Sequence, residues 1–505
     1  MGNSLDKQLA KKYKKKEEVD LGSKKIQELP PSIGNLQKCK KLVLKKNDLT
    51  DLPVEIGQLG GLEILDCTSN RINDMPQSLT ELKNLQEMYF SDNKLFLSGL
   101  PKFIGQIKSL RRLFISGNQL EELPAELGQL VHLTHLVAAN NKIKVVPPEY
   151  KGLARLQVLN LRENELYALP PEISGMEALE LLNVNSNVLS ALPASIGKLQ
   201  SLKHLDVGYN QLTELPVEMA QMEFLEVLDV SHNPNISELP SLSYLRNLIR
   251  LNISNLSIDH FPTDIQYLSR LEDLAMASNH QVGSVPPEIG CLERLKKLDL
   301  HNNGLKVLPS EIGLLAELTW CDLSNNSLTS ELLPPELGNL INVTSMNLST
   351  NELTTLPPEI RNMADLKSLD VGINALYELP EEFGDLMALE KLVLEGNKLA
   401  TLPTTIGQLT NLVDLNLKSN ELSKLPDEMG SLMMLTKIDL SHNMLTELPW
   451  SMGNLPLVTV LNVKHNPIVL PPKPIVNKGT ADILQWLRLN EYKMTKARNL
   501  GKNKI

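Results

Sequence analysis

The chain has 505 residues, is 42% hydrophobic but only 4% aromatic, and carries a formal net charge of −10 with four cysteines. The charge is uneven: residues 1–50 hold 13 lysines against six acids and residues 464–505 hold nine basic against two acidic groups, leaving −24 on the stretch between. An acidic body repels phosphate, which argues against a nucleic-acid partner along its length, and no run of eighteen apolar residues or apolar h-region behind Met1 calls for a membrane span or export.

The first sixteen residues support two readings. Met1-Gly2-Asn3-Ser4-Leu5-Asp6 resembles an N-myristoylation start, with Lys11, Lys12, Lys14, Lys15 and Lys16 as the polybasic second signal that one acyl chain needs. Asp6, however, stands where serine or threonine is preferred. The other reading is a basic capping helix over 1–16, with Leu5, Leu9 and Tyr13 covering the first coil.

From residue 17 to 472 one phrase returns. Asparagine recurs from Asn47 to Asn466, mostly every 23 residues, as in Leu205, Val207, Asn210, Leu212, Leu215, Pro216 and again in Leu415, Leu417, Asn420, Leu422, Leu425, Pro426. A period in the twenties marks a solenoid. Two apolar residues at period 2 make a short strand with one buried face, and the next two fill the coil behind it. An amide that both donates and accepts can satisfy backbone groups of its own and the neighbouring coil. Segments such as 193–199 (PASIGKL) add a proline that starts a helical turn, an inward isoleucine and a glycine that ends it. Counting 23 from the asparagines reaches Lys24 and Leu256, so the ladder position is replaced there and about 20 coils fill 17–472. Two coils are 25 residues long, from Asn93 to Asn118 and from Asn326 to Asn351, and the stretch 234–286 is the least regular. The expected fold is an α/β solenoid, a leucine-rich repeat horseshoe with a parallel concave sheet, short convex helices and helical caps at both ends.

After Pro471, Pro472 and Pro474, residues 473–505 read as a C-terminal cap and basic tail, with Ile483, Leu484 and Leu487 on one helix face. Trp486 and Tyr492 either complete that cap or meet a partner, and cap packing is the more economical reading because a bare solenoid end aggregates.

Outward positions of the sheet lie six, four, two and one residues before each ladder asparagine. Four before come Tyr89, Phe114 and Val137, then Asp206, Asp229, Asp299 and Asp322 among other Asp and Asn residues. Tyr89 and Phe114 are expected on neighbouring-but-one faces beside Arg112, with Tyr209 and Trp320 farther along. Aromatic and arginine side chains are the types that anchor protein interfaces, so these ten residues form the candidate partner-binding face. For the Asp/Asn row, bonding along the sheet is the competing and simpler reading.

No phosphate loop, H-E-x-x-H or C-x-x-C motif is present, and the nine histidines are scattered, so no catalytic residue, metal or cofactor is expected. The tight 23-residue form with L-P-x-x-I-G-x-L resembles the intracellular Ras-group leucine-rich repeat proteins. Similarity to Ras suppressor extends to Ser4-Leu5 leading to Glu18-Val19-Asp20 and to Trp486-Leu487-Arg488 near Tyr492. The resemblance implies a non-catalytic cytoplasmic scaffold in signal transduction, at the inner face of the plasma membrane if the N-terminus touches it. Its implied partners are small GTPases or their effectors. This chain has more coils than Ras suppressor and lacks an R/K-V-x-F phosphatase-docking motif. A structural adaptor of cytoskeletal or adhesion complexes, or an enzyme-regulating subunit, stands as the alternative.

Overall fold

A computed structural model describes residue 6, residues 9–95 and residues 99–490. Gly2, Leu5, Tyr492 and part of the first 25-residue coil therefore lie outside the described residues. The chain divides into two compact units, Met1–Leu256 and Ser257–Ile505. The division falls at Leu256, where leucine replaces the ladder amide.

In the first unit the described residues form eleven three-residue strands, from Glu18–Asp20 to Arg250–Asn252, each parallel to the next in strict register. Nine more, from Asp273–Ala275 to Val460–Asn462, make the parallel sheet of the second unit. Their burial runs outward, inward, outward: in His204–Asp206 only the central Leu205 is fully buried. Val207, Leu212, Leu215, Met219 and Met222 complete that coil's share of the core, so each coil adds one slice of apolar interior.

The ladder works as the amide chemistry requires. Asn210 Nδ2 donates to the Val207 carbonyl of its own coil at 3.0 Å and to the Val184 carbonyl of the preceding coil at 3.1 Å. Its Oδ1 accepts from the Leu189 amide at 3.0 Å. At the first ladder position the Lys24 ammonium reaches Tyr13 Oη and the Asp20 carbonyl instead.

Behind the strands run five-residue 3₁₀ helices such as Ala194–Lys198, entered through Pro193 in an extended conformation. The expected glycine stop is a correction: Gly197 sits inside the helix, buried against the next coil, where a methyl would strike the Glu218 carbonyl oxygen. Gly313 shows the same fit, with a Cβ 2.5 Å from the Glu336 carbonyl. Close stacking of successive 3₁₀ helices, not termination, fixes the glycine. The irregular stretch after Asn233 lacks the 3₁₀ helix altogether up to Arg250. The 25-residue coil after Asn326 carries an added 3₁₀ turn, Ser330–Leu332, whose Ser330 hydroxyl bonds the Thr355 carbonyl at 2.7 Å and accepts from the Thr354 and Thr355 amides.

At the front, a helical turn over Leu9–Tyr13 buries the Tyr13 ring. At the far end, helix 480–490 buries Ile483, Leu484 and Leu487, and Thr480 Oγ accepts from the Leu461 amide at 2.9 Å. The half-exposed Trp486 ring lies 5.3 Å from that of Trp450, so this tryptophan belongs to the cap.

Candidate protein-binding face

The outward face of the first unit's sheet brings four expected residues together. Strand Glu87–Tyr89 pairs with Arg112–Phe114, and that with His135–Val137, placing Tyr89, Phe114 and Val137 side by side. Tyr89 and Phe114 are direct neighbours rather than neighbours-but-one, and their rings stack at 4.7 Å with 9° between planes. All three remain partly exposed. Tyr89 Oη donates to Glu87 Oε2 at 2.6 Å, and the other Glu87 oxygen faces Arg112 at 3.5 Å. Burial, reinforced by the Glu87 carboxylate, pushes the Tyr89 phenol up to about 12. Desolvation and the nearby Arg112 charge lower the pKa of His135, which favours its neutral form. The result is an apolar aromatic platform edged by one compensated charge pair, a composition suited to an interface anchor.

Tyr209 and Trp320 stand apart from that platform. Tyr209, 52% exposed, stacks at 3.8 Å on His232, whose Nε2 lies 3.1 Å from the Asn255 amide. Trp320 occupies the first position of its strand in the second unit, between Lys297 and Ser345, partly exposed.

The aspartates are tied into their own sheets. Asp206 accepts from Asn183 and Asn185, Asp229 from Ser231 and Asn252, and Asp322 from Ser324 and Asn347. Asp299 Oδ1 lies 2.7 Å from His301 Nδ1. Recurrent Asp-x-Ser turns and cross-strand Asn–Asp pairs thus use the same oxygens that a partner would need, the geometry of sheet stabilisation.

One feature has no leucine-like signal in the sequence. The residue before nearly every ladder asparagine is left-handed, including Tyr209 at φ 52°, His232 at 55°, Thr350 at 54° and Ile373 at 52°, with Gly117 and Gly396 in two coils. Glycine at two of these positions and asparagine at 140, 255, 302 and 325 are the hints. The conformation throws these side chains onto the rim of the sheet and brings His442 and His465 into a stack at 4.1 Å.

Nucleophile chemistry is poorly served. Desolvation pushes the buried Cys39 thiol up to about 11 and raises those of Cys67 and Cys321 further. Among the described residues no three His, Cys, Asp or Glu side chains group as a metal site, and no helix is long and apolar enough to cross a membrane.

Models of the leucine-rich repeat region match residues 20–123 and 118–211, and leucine-rich repeat models match 294–315, 317–340, 341–399 and 403–468. The curated leucine-rich repeat protein lrrA of Dictyostelium discoideum is 54% identical over 97 residues, an alignment spanning 19% of either chain. An LRR protein of Leptospira interrogans superposes with TM-score 0.62 at 33% identity, covering 86% of this chain and 98% of that one. The Arabidopsis receptor kinase HAESA, solved with the peptide hormone IDA and the co-receptor SERK1, superposes with TM-score 0.62 at 25% identity over 90% of this chain and 83% of its own.

Proposed function

Because this chain belongs to the leucine-rich repeat family, whose members generally act as protein-interaction scaffolds, we propose that it is a non-catalytic scaffold of intracellular signalling whose partners are small GTPases or their effectors. The Tyr89–Phe114–Val137 platform carries this reading: three in-register side chains present an aromatic and aliphatic surface beside Arg112 and Glu87. Burying such a surface supplies the apolar centre that tight interfaces share. The HAESA complex supports a protein or peptide ligand in general terms. Cytoplasmic placement at the inner face of the plasma membrane, through acylated Gly2 and the lysines behind it, forms part of the same proposal.

Pull-downs with GTP-loaded and GDP-loaded Ras-family proteins test it. Wild type should capture the GTP form preferentially, and Tyr89→Ala/Phe114→Ala should lose most of that capture. Binding that ignores the nucleotide, or survives the double substitution, removes the small-GTPase reading and favours the adhesion or cytoskeletal adaptor. Incorporation of a myristate analogue into wild type but not Gly2→Ala supports the anchor; equal labelling ends it.

A further inference from the structure

The outward face of the last three coils of the second unit brings two lysines and two histidines together. Strands Asp414–Asn416, Lys437–Asp439 and Val460–Asn462 run parallel and in register. Two residues beyond them, on the outward side, come Lys418, Ser441 and Lys464, followed by the left-handed Ser419, His442 and His465 at φ 54°, 57° and 59°. Neither the Lys418 nor the Lys464 ammonium has a hydrogen-bond or ion-pair partner among the described residues, whereas nearby Lys437 is paired with Asp414 at 3.2 Å. Strands about 4.8 Å apart put the two free lysines about 10 Å apart at Cα. Two four-carbon stems can close that gap over Ser441 and His442.

The neighbouring acids are already engaged. Asp439 Oδ1 accepts from the Ser441 amide and hydroxyl at 2.9 and 2.6 Å, and its Oδ2 from Asn462 at 3.0 Å. Glu395 accepts from Asn416 at 2.6 Å. What faces outward is two lysines and two stacked, exposed imidazoles, flanked by Glu395, Asp414, Asp439 and Glu421. A cluster of positive charge with acids beside it suits one compact dianion. It repels a polyanion or an anionic membrane, whose further charges would fall on the acidic surroundings.

We propose that Lys418, His442, Lys464 and His465 form a binding site for a single phosphorylated side chain of a protein partner. The inference rests on the chain being a protein-binding scaffold, but it concerns a different surface from the aromatic platform. A phosphate monoester brings close to two negative charges and three strong acceptor oxygens, matching the two lysines and the imidazole N–H edges. Partner sequences on either side of the phosphate would run over the neighbouring coil, whose outward side chains include Lys391, Val393 and Glu395.

The full chain is titrated calorimetrically with a Gly-phosphoserine-Gly peptide, its unphosphorylated twin, inorganic phosphate and phosphatidylserine vesicles at fixed ionic strength. Saturable binding of the phosphorylated peptide, at least about tenfold tighter than the twin, is expected. Lys418→Gln/Lys464→Gln should abolish it, and Lys418→Arg/Lys464→Arg should retain it. Equal binding of both peptides, or binding unaffected by the glutamine pair, overturns the site. Inorganic phosphate binding as tightly as the peptide overturns the protein-partner assignment, and vesicle binding without peptide binding replaces it with a membrane. The glutamine pair should leave the Tyr89/Phe114-dependent pull-down unchanged, so the two proposals fail separately.

Discussion

Replacing Asn210 by alanine tests the ladder at one rung. The size of the effect follows from who else serves each group. The Val184 carbonyl accepts from Asn187 as well as Asn210, and the Val207 carbonyl from Asn233 as well as Asn210. Each therefore keeps one partner and loses about 0.5–1 kcal/mol. The Leu189 amide has only Asn210 Oδ1 among its hydrogen-bond acceptors in the described residues, and a buried donor left alone costs about 1–3 kcal/mol. The total is about 3 kcal/mol, which is about a hundredfold in a local opening equilibrium. Hydrogen exchange read peptide by peptide should show that acceleration centred on 184–212, with a matching loss in urea denaturation. Gln211→Ala, one residue on and exposed, should stay within about 0.5 kcal/mol. A loss below about 1 kcal/mol, or faster exchange that bypasses Leu189, would refute the claim that the ladder amide is needed for backbone satisfaction.

Gly338→Ala should cost about 1–3 kcal/mol in chemical denaturation, because its methyl meets the Glu359 carbonyl and the following 3₁₀ helix must shift; a neutral result would mean the stack is looser than described. Ile373→Gly should raise stability by about 0.5–1 kcal/mol, since relief of a left-handed β-branched residue exceeds the entropy that glycine loses; a fall in Tm contradicts this. Tyr89, with its phenol raised to about 12 against an ordinary 10, should ionise about two pH units late in an ultraviolet titration, and Glu87→Gln should bring it back toward 10. Because the folded value is the higher one, its contribution to stability is complete below pH 10 and disappears as pH rises through about 12. Denaturation midpoints that hold steady across that interval would speak against it.

Strand positions, the asparagine ladder and the apolar filling were legible because each follows from a period that the chemistry repeats: Leu205 and Val207 must alternate, and Asn210 must serve four backbone groups. The burial of Ile483, Leu484 and Leu487 was legible for the same reason. What the pattern hid depends on distances between coils. Gly197 looks like a helix stop in one dimension and is a contact point in three. Tyr89 and Phe114 sit 25 residues apart across a lengthened coil, so counting in units of 23 displaces one from the other, whereas pairing in the sheet brings them face to face. The Asp/Asn row could be read as bait for a partner until each carboxylate is seen to hold Ser231, Asn252 or Asn347. The left-handed rim is written only in part, as glycine at 117 and 396 and asparagine at 140, 255, 302 and 325, because its other occupants, from Lys46 to His465, share no such tolerance.

The ladder also has a direction along the chain. Asn210 reaches back 26 residues to Val184 and 21 to Leu189, and Asn233 and Asn443 reach back by the same intervals. The backbone of each coil is therefore completed by the asparagine of the coil that follows it in sequence. Loss of coils from the front costs the first remaining asparagine its backward partners, while loss from the rear leaves one carbonyl and one amide of the last remaining coil unserved by a following asparagine. The Thr480 hydroxyl on the Leu461 amide is how the final coil escapes waiting for a successor that never comes.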